Sequence, residues 1–124
     1  MNVVDSCGWL EYLSDGPNAD FFAPAIEAVD SLLVPSICIF EVFKKVLSER
    51  GEAAALQTIA LMRQGEIIDL DLSLAIAAAK LSKDQGLPLA DSVVYATSRS
   101  RNATVWTQDE HFSQLAAVRF IQKR

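Results

Sequence analysis

The segment Leu32-Leu33-Val34-Pro35-Ser36-Ile37-Cys38-Ile39-Phe40-Glu41-Val42-Phe43 (residues 32–43) begins with a short apolar run and continues into a longer mixed stretch. Residues 32–35 predict a strand that the proline closes, because proline lacks the N–H that a longer ladder needs. Ser36 is a candidate cap for a helix over residues 37–50, which Gly51 ends. The segment therefore predicts a strand followed directly by a helix.

The same alternation of strand and helix extends in both directions from this segment. Short apolar and β-branched runs predict further strands over residues 3–4, 67–68, 104–106 and 118–121. Longer stretches predict helices over residues 8–12, 20–29, 52–63, 72–83, 89–100 and 110–115. This order predicts an α/β fold in which helices cover both faces of a parallel sheet. Such sheets bind ligands beyond the carboxyl ends of their strands.

Length and composition suit one domain over residues 1–124. The chain has 124 residues, of which 51% are hydrophobic, so it can bury a core without disulfides. The two cysteines, Cys7 and Cys38, lack a zinc-ligand spacing, and we expect both to be small buried residues. Few cysteines, no leader-like N-terminus and no apolar run of roughly 20 residues predict a cytoplasmic protein with no membrane partner.

The net charge is −5, from 11 basic and 16 acidic residues. An acidic chain is a poor non-specific binder of phosphate backbones, which counts against nucleic acid as a partner. That conclusion reverses if some of the acids hold metal ions, because a bound cation becomes the dominant local charge. The positions of the acids therefore decide the functional prediction.

Two acidic residues lie in or beside the first two strand–helix units. Asp5 comes directly after the strand over residues 3–4, where it is equally a candidate cap of the next helix. Glu41 has largely apolar neighbours in the helix over residues 37–50. The alternative for Glu41 is an exposed pair with Lys45, four residues further along the same helix.

Two more acidic residues come later in the chain. Asp91 lies near the start of an otherwise apolar helix, which indicates a buried helix with this acid facing a polar cleft. An acid at this position also favours the helix dipole. Asp109 follows the strand over residues 104–106. Thr107 and Glu110 have the spacing of a capping box, which does not account for Asp109.

These four acids are predicted to converge on one side of the sheet. Crowded carboxylates repel each other and raise each other's pKa, so a protein that gathers them usually supplies a cation. Oxygen-only ligands suit Mg²⁺ or Mn²⁺. Such ions at a carboxylate cluster are typical of enzymes that hydrolyse phosphodiesters.

The ordered set of acids resembles the PIN-domain family, and within it the VapC-type toxins of toxin–antitoxin systems. The matching motifs are Val3-Val4-Asp5-Ser6, Ile39-Phe40-Glu41-Val42, Leu89-Ala90-Asp91-Ser92 and Thr107-Gln108-Asp109 with Phe112. The resemblance covers essentially the whole chain. It implies a three-layer α/β/α domain with a central parallel sheet of about four or five strands.

The resemblance also implies a Mg²⁺- or Mn²⁺-dependent endoribonuclease that acts as a toxin. Asp5, Asp91 and Asp109 would ligate the metal, Glu41 would complete the pocket, and hydroxyls would assist from Ser6 and Thr107. The implied partners are an RNA substrate, a cognate VapB-like antitoxin protein and a second copy of the chain, in a bacterial or archaeal cytoplasm. Candidates for phosphate contacts are Lys44, Lys45, Arg99 and Arg101. His111, the only histidine, is predicted to be a packed or exposed side chain outside the site.

Two alternatives remain open at this stage. A phosphoaspartyl protein also uses an aspartate after its first strand, but the phosphatase pattern needs a second acid two residues on, where Cys7 stands. A PIN-like domain that only binds RNA or protein would need none of the four acids. Metal-dependent cleavage of single-stranded RNA separates these alternatives.

Overall fold

The computed structural model describes all residues from 1 to 124. Five strands alternate with six α-helices along the chain. Their order is β1 (Asn2–Val4), α1 (Ser6–Leu13), α2 (Ala19–Glu27), β2 (Leu32–Pro35), α3 (Ser36–Arg50), α4 (Glu52–Met62), β3 (Glu66–Ile68), α5 (Leu72–Gln85), α6 (Leu89–Ser100), β4 (Thr104–Thr107) and β5 (Val118–Phe120). Short 3-10 helices occupy Val29–Ser31 and Glu110–Phe112. None of the helices combines the length and apolar character needed to cross a membrane.

All five strands form one parallel sheet in the order β3-β2-β1-β4-β5. The chain places β2 and β3 on one side of β1 and then returns to place β4 and β5 on the other side. The order therefore reverses between β1 and β4, where Val4 is paired with Trp106. In sheets of this kind, the crevice beyond the carboxyl ends at such a reversal is the usual place for a ligand.

Both faces of the sheet are covered by other elements. Successive strand residues point to opposite faces, and Val3, Val4, Leu33 and Val34 are all fully buried. This continuous burial is typical of a parallel sheet between two layers of helices. The helices pack in consecutive pairs, α1 with α2, α3 with α4 and α5 with α6. The predicted α/β fold with a central parallel sheet is therefore confirmed.

Helix α3 shows that the predicted cap at its start is wrong. Ser36 is the first residue of the helix, and Pro35 is the cap residue, with no side-chain hydrogen bond. The reason is that the extended backbone of Pro35 (φ −61°, ψ 136°) already leads from β2 into the helix. By contrast, Asp71 does cap α5, because its Oδ1 accepts the Leu74 N–H at 2.9 Å.

The segment after β4 also differs from its prediction. The helical part is one 3-10 turn, Glu110–Phe112, rather than a helix over residues 110–115. Its cap is Asp109, whose Oδ1 accepts the N–H of His111 at 2.9 Å. The predicted capping box of Thr107 and Glu110 is therefore wrong, and the Thr107 hydroxyl is free for other contacts.

Candidate metal centre

The reversal between β1 and β4 brings Asp5 and Thr107 together. Asp5 follows β1, its N–H donates to the carbonyl of Trp106 at 3.1 Å, and its Oδ1 caps α1 by accepting the Ser6 N–H at 2.8 Å. Thr107 is the last residue of β4, and its hydroxyl donates to Asp5 Oδ2 at 3.1 Å. Asp5 thus caps helix α1 and also lines the crevice at the carboxyl ends of β1 and β4.

Thr107 also connects Asp5 to Asp109. The backbone N–H of Asp109 donates to the Thr107 hydroxyl oxygen at 2.9 Å. The Thr107 hydroxyl therefore donates to the carboxylate of Asp5 and accepts from the backbone of Asp109. This fixes the direction in which the chain leaves β4.

Glu41 reaches the same region from the second turn of α3. The Ser6 hydroxyl donates to Glu41 Oε1 at 2.8 Å. The alternative pairing of Glu41 with Lys45 is wrong, because Lys45 pairs with Glu49 at 3.0 Å. The side chain of Glu41 is half-buried and turned toward α1.

Asp91 and Asp109 form a close group with a histidine that the sequence did not indicate. His111 Nδ1 lies 2.9 Å from Asp91 Oδ2 and 3.1 Å from Asp109 Oδ1. Ligand atoms of these three residues all lie within 4.8 Å of one another. Asp5 and Glu41 lie outside this close group and join it through Thr107 and Ser6.

Two further side chains contact the acids, and the sequence did not predict either contact. His111 was predicted to lie outside the site, but the 3-10 turn after Asp109 brings its ring back between two carboxylates. Its spacing of two residues from Asp109 is the only sequence signal. Cys7 was predicted to be a simple buried residue, but its thiol donates to Asp5 Oδ2 at 3.3 Å. Cys38 is fully buried, as predicted.

Burial and mutual repulsion perturb the acids in this crevice. Burial, together with the nearby charge of Asp91, raises the pKa of Asp5 from 3.8 to about 6, against hydrogen bonds from Cys7, Ser6 and Thr107 that lower it. Burial also raises the pKa of Asp91, with a contribution from the charge of Asp109. The negative charge of Asp109 raises the pKa of His111. No Lys or Arg forms an ion pair with any of the four acids.

The donor set of this crevice fits a hard divalent cation. Four carboxylates and two hydroxyls offer oxygen ligands, which Mg²⁺ and Mn²⁺ prefer, and His111 adds one imidazole nitrogen beside Asp91 and Asp109. Asp5 is only 3% exposed and has no basic partner. Burying an ionised carboxylate is costly unless a positive charge compensates for it. The residues that would hold a cation are therefore Asp5, Glu41, Asp91 and Asp109.

Two clefts open beside the acids. One, of about 580 Å³, lies between α1 and the α3–α4 pair, and a second of about 400 Å³ includes Asp109 in its lining. Both clefts are lined by Cys7, Gln108 and Lys123.

Two of the four basic residues suggested as phosphate contacts are engaged elsewhere, whereas Lys45 pairs with Glu49 and lines the larger cleft. Arg99 lies eight residues after Asp91 on α6, roughly 12 Å along the helix axis, and its guanidinium donates to the Ala103 carbonyl at 2.6 Å. Arg101 pairs with Glu66 at 2.9 Å, at the start of β3. Both arginines lie near the amino ends of the strands, whereas the acids lie near the carboxyl ends. The cation on the walls shared by the two clefts is Lys123.

Comparison with known proteins gives the family. The family model described as the PIN domain matches residues 3–118. The chain belongs to the PIN-domain family. No curated protein sequence matches this PIN domain.

Solved structures share the fold over nearly their full lengths. A toxin–antitoxin complex from Klebsiella pneumoniae superposes with a TM-score of 0.81 at 18% identity, covering 96% of each chain. The sarcin–ricin loop cleaving toxin VapC20 from Mycobacterium tuberculosis gives 0.79 at 13% identity, with 95% of this chain and 97% of that chain covered. VapBC2 from Rickettsia felis, bound to a promoter DNA fragment, gives 0.73 at 14% identity, with 98% and 97% covered. At these identities the likeness establishes the PIN fold.

Proposed function

We propose that this PIN domain is a metal-dependent endoribonuclease that hydrolyses RNA phosphodiester bonds. The observation that carries the proposal is the buried Asp5, raised in pKa, placed at the strand-order reversal among three other carboxylates with no Lys or Arg partner. Asp5, Asp91 and Asp109 are the proposed ligands of Mg²⁺ or Mn²⁺, with Glu41 completing the pocket.

The side chains of this site have separable roles in that reaction. A divalent cation bound there would stabilise charge on the scissile phosphate and lower the pKa of a water. Thr107 orients Asp5 through its hydroxyl, and Ser6 orients Glu41 in the same way. Glu41 would hold an attacking water or a second ion. His111 holds the carboxylates of Asp91 and Asp109 together.

The test is cleavage of a single-stranded RNA by the purified chain. We expect cleavage with Mg²⁺ or Mn²⁺ and none in excess chelator, because the proposed carboxylate ligands suit these two ions. Full activity in chelator would contradict the metal mechanism. RNA binding without cleavage under every metal condition would instead support the alternative of an inactive PIN-like binding module. Membership of the PIN family argues against an aspartate-based phosphotransfer domain.

We further infer that the nuclease is the toxin of a VapBC-type pair and that a VapB-like antitoxin holds it inactive. Support comes from the fold shared with toxin–antitoxin complexes. The larger cleft offers the antitoxin an apolar surface, lined by Leu10, Leu13, Val46 and Leu61. Such a toxin would act on RNA in the cytoplasm of a bacterium or archaeon, as a single domain over residues 1–124. We also infer a homodimer, which size-exclusion chromatography with light scattering would test.

A further inference from the structure

The turn between α1 and α2 contains an asparagine that reaches into the neighbourhood of the acids. Asn18 is 2% exposed, although it lies in a surface turn with Gly16 and Pro17. Its Nδ2 donates to Gln108 Oε1 at 2.8 Å and to the backbone carbonyl of Gln122 at 3.1 Å. One side chain thereby joins the turn, the segment after β4 and the C-terminal segment.

The backbone carbonyl of Gln122 fixes the orientation of both amides. A carbonyl can only accept, so the Asn18 atom facing it must be the NH₂ group. The same NH₂ group then requires Gln108 to present its oxygen. Asn18 Oδ1 has no hydrogen-bond partner in the protein. The side chain is therefore used only for its two N–H donors.

The position of Asn18 is itself held by a carboxylate on α1. The N–H of Asn18 donates to Glu11 Oε2 at 2.7 Å. Gly16 leaves the space that this carboxylate needs, because a Cβ at residue 16 would lie 2.6 Å from the carboxyl group of Glu11. Glycine at this position is thus explained by the close approach of Glu11.

The restrained segment is the one that carries part of the metal site. Gln108 is 6% exposed and lies between Thr107 and Asp109 in the chain. The preceding residue, Thr107, is held by the C-terminal segment, because the backbone carbonyl of Thr107 accepts the Ile121 N–H at 3.1 Å. Residues 107–109 are therefore clamped by Asn18 and by the C-terminal segment.

We propose that Asn18 is a positioning residue of the metal site, acting through Gln108. It holds residues 107–109 so that the Thr107 hydroxyl reaches Asp5 and the Asp109 carboxylate faces Asp91. The inference rests on the proposed function for its effect on catalysis, but metal binding tests it independently of catalysis. Residues that orient ligands typically change metal affinity or activity by about 10- to 100-fold when removed.

Two variants remove the clamp by different routes. Asn18→Asp keeps the side-chain shape and loses both N–H donors, whereas Gly16→Ala adds a methyl that displaces Glu11 without adding charge. The matched control is Tyr12→Phe, which removes the 2.9 Å hydrogen bond from Tyr12 to Glu27 between the same two helices, away from the acids. The Kd for Mn²⁺ is measured by calorimetry well below the melting temperature. The kcat and KM are measured from the cleavage of an RNA substrate.

We expect both clamp variants to weaken Mn²⁺ binding and to lower kcat by about tenfold, with KM within about twofold of the wild type. Tyr12→Phe should keep the wild-type Kd. Folded clamp variants with unchanged Kd and kcat would overturn the inference, as would an equal loss in Tyr12→Phe. If Asn18→Asp fails to fold, Gly16→Ala decides alone. A wild type that binds Mn²⁺ but cleaves no RNA overturns the proposed function, and the Mn²⁺ affinities still decide the role of Asn18.

Discussion

The hydroxyl of Thr107 donates to Asp5 Oδ2 at 3.1 Å and accepts the N–H of Asp109 at 2.9 Å. One side chain at the end of β4 thus orients the acid after β1 and the segment that carries the last acid. Asp5 is buried, so its carboxylate depends on such contacts for its orientation. This relationship predicts that a residue with no charge of its own controls the geometry of the metal site.

Replacing Thr107 with valine tests whether its hydroxyl orients the acids. Thr107→Val keeps the shape of the side chain but leaves the N–H of Asp109 without its partner and Asp5 Oδ2 with only the weaker hydrogen bond from the Cys7 thiol. We expect Mn²⁺ affinity to fall by about 10- to 100-fold, measured by calorimetry. Thr107→Ser retains the hydroxyl and should stay within about threefold of the wild type. Equal affinities in the valine and serine variants would show that the hydroxyl does not orient Asp5.

Neutralising a site acid should separate catalysis from folding. Asp5→Asn and Asp91→Asn each remove a proposed ligand charge while keeping the side-chain shape, so RNA cleavage should be abolished in a folded protein. The matched control is Asp71→Asn, which alters the cap of α5 outside the crevice and should leave activity within a few-fold of the wild type. Initial cleavage rates and circular dichroism provide the measurements. Loss of activity in Asp71→Asn with retention in Asp91→Asn would contradict the site assignment.

Expression in a bacterial host tests the toxin proposal separately from the nuclease proposal. The chain alone should arrest growth, and a cognate antitoxin encoded beside it should relieve the arrest. Growth curves after induction measure both effects, and Asp91→Asn serves as the inactive control. Harmless expression of a soluble protein that cleaves RNA in vitro would remove the toxin proposal and leave the nuclease intact.

The elements of this fold could be predicted because apolar runs and helix boundaries are local signals. Residues 32–35 and 89–100 were predicted with the bounds that the structure has. The position of Asp5 at a carboxyl end also follows from one local pattern. By contrast, the strand order depends on which distant strands pair. The pairing of Val4 with Trp106 therefore required the structure.

The contacts in the candidate site that the sequence did not predict also join residues that are distant in the chain. His111 contacts Asp91, 20 residues away, and Asn18 contacts Gln108, 90 residues away. Neither contact leaves a periodic pattern, because each depends on how two segments distant in the chain meet at the carboxyl ends of the strands. Glu41 likewise accepts a hydrogen bond from Ser6, 35 residues earlier, instead of forming the surface pair with Lys45, and no local pattern indicates that contact. Residue type and strand position could single out the four acids as candidates, but not the groups that contact them.

Asp5 should make the stability of the metal-free protein depend on pH. Its pKa is raised from 3.8 to about 6 in the folded state, so the folded protein holds the proton more tightly than the unfolded chain. The free energy of unfolding should therefore fall as the pH rises from about 4 to about 6, by about 3 kcal/mol from this group, and stay low above that range. Asp5 is the informative acid, because it has no ion-pair partner, whereas Asp91 and Asp109 both lie within 3.1 Å of His111 Nδ1.

Asp5→Asn should remove this contribution, since its amide carries no charge at either pH. In chelator at about pH 7.5, the variant should melt higher than the wild type, and the difference should shrink at about pH 5, where Asp5 is largely protonated. Mn²⁺ binds the folded state and should raise the wild-type melting temperature at the higher pH, with a smaller rise in Asp5→Asn because one ligand is gone. Thermal melts of both proteins, with and without Mn²⁺, measure all of these shifts. If Asp5→Asn melts lower than the wild type in chelator at both pH values and keeps the full Mn²⁺ shift, the buried carboxylate is neither strained nor a ligand.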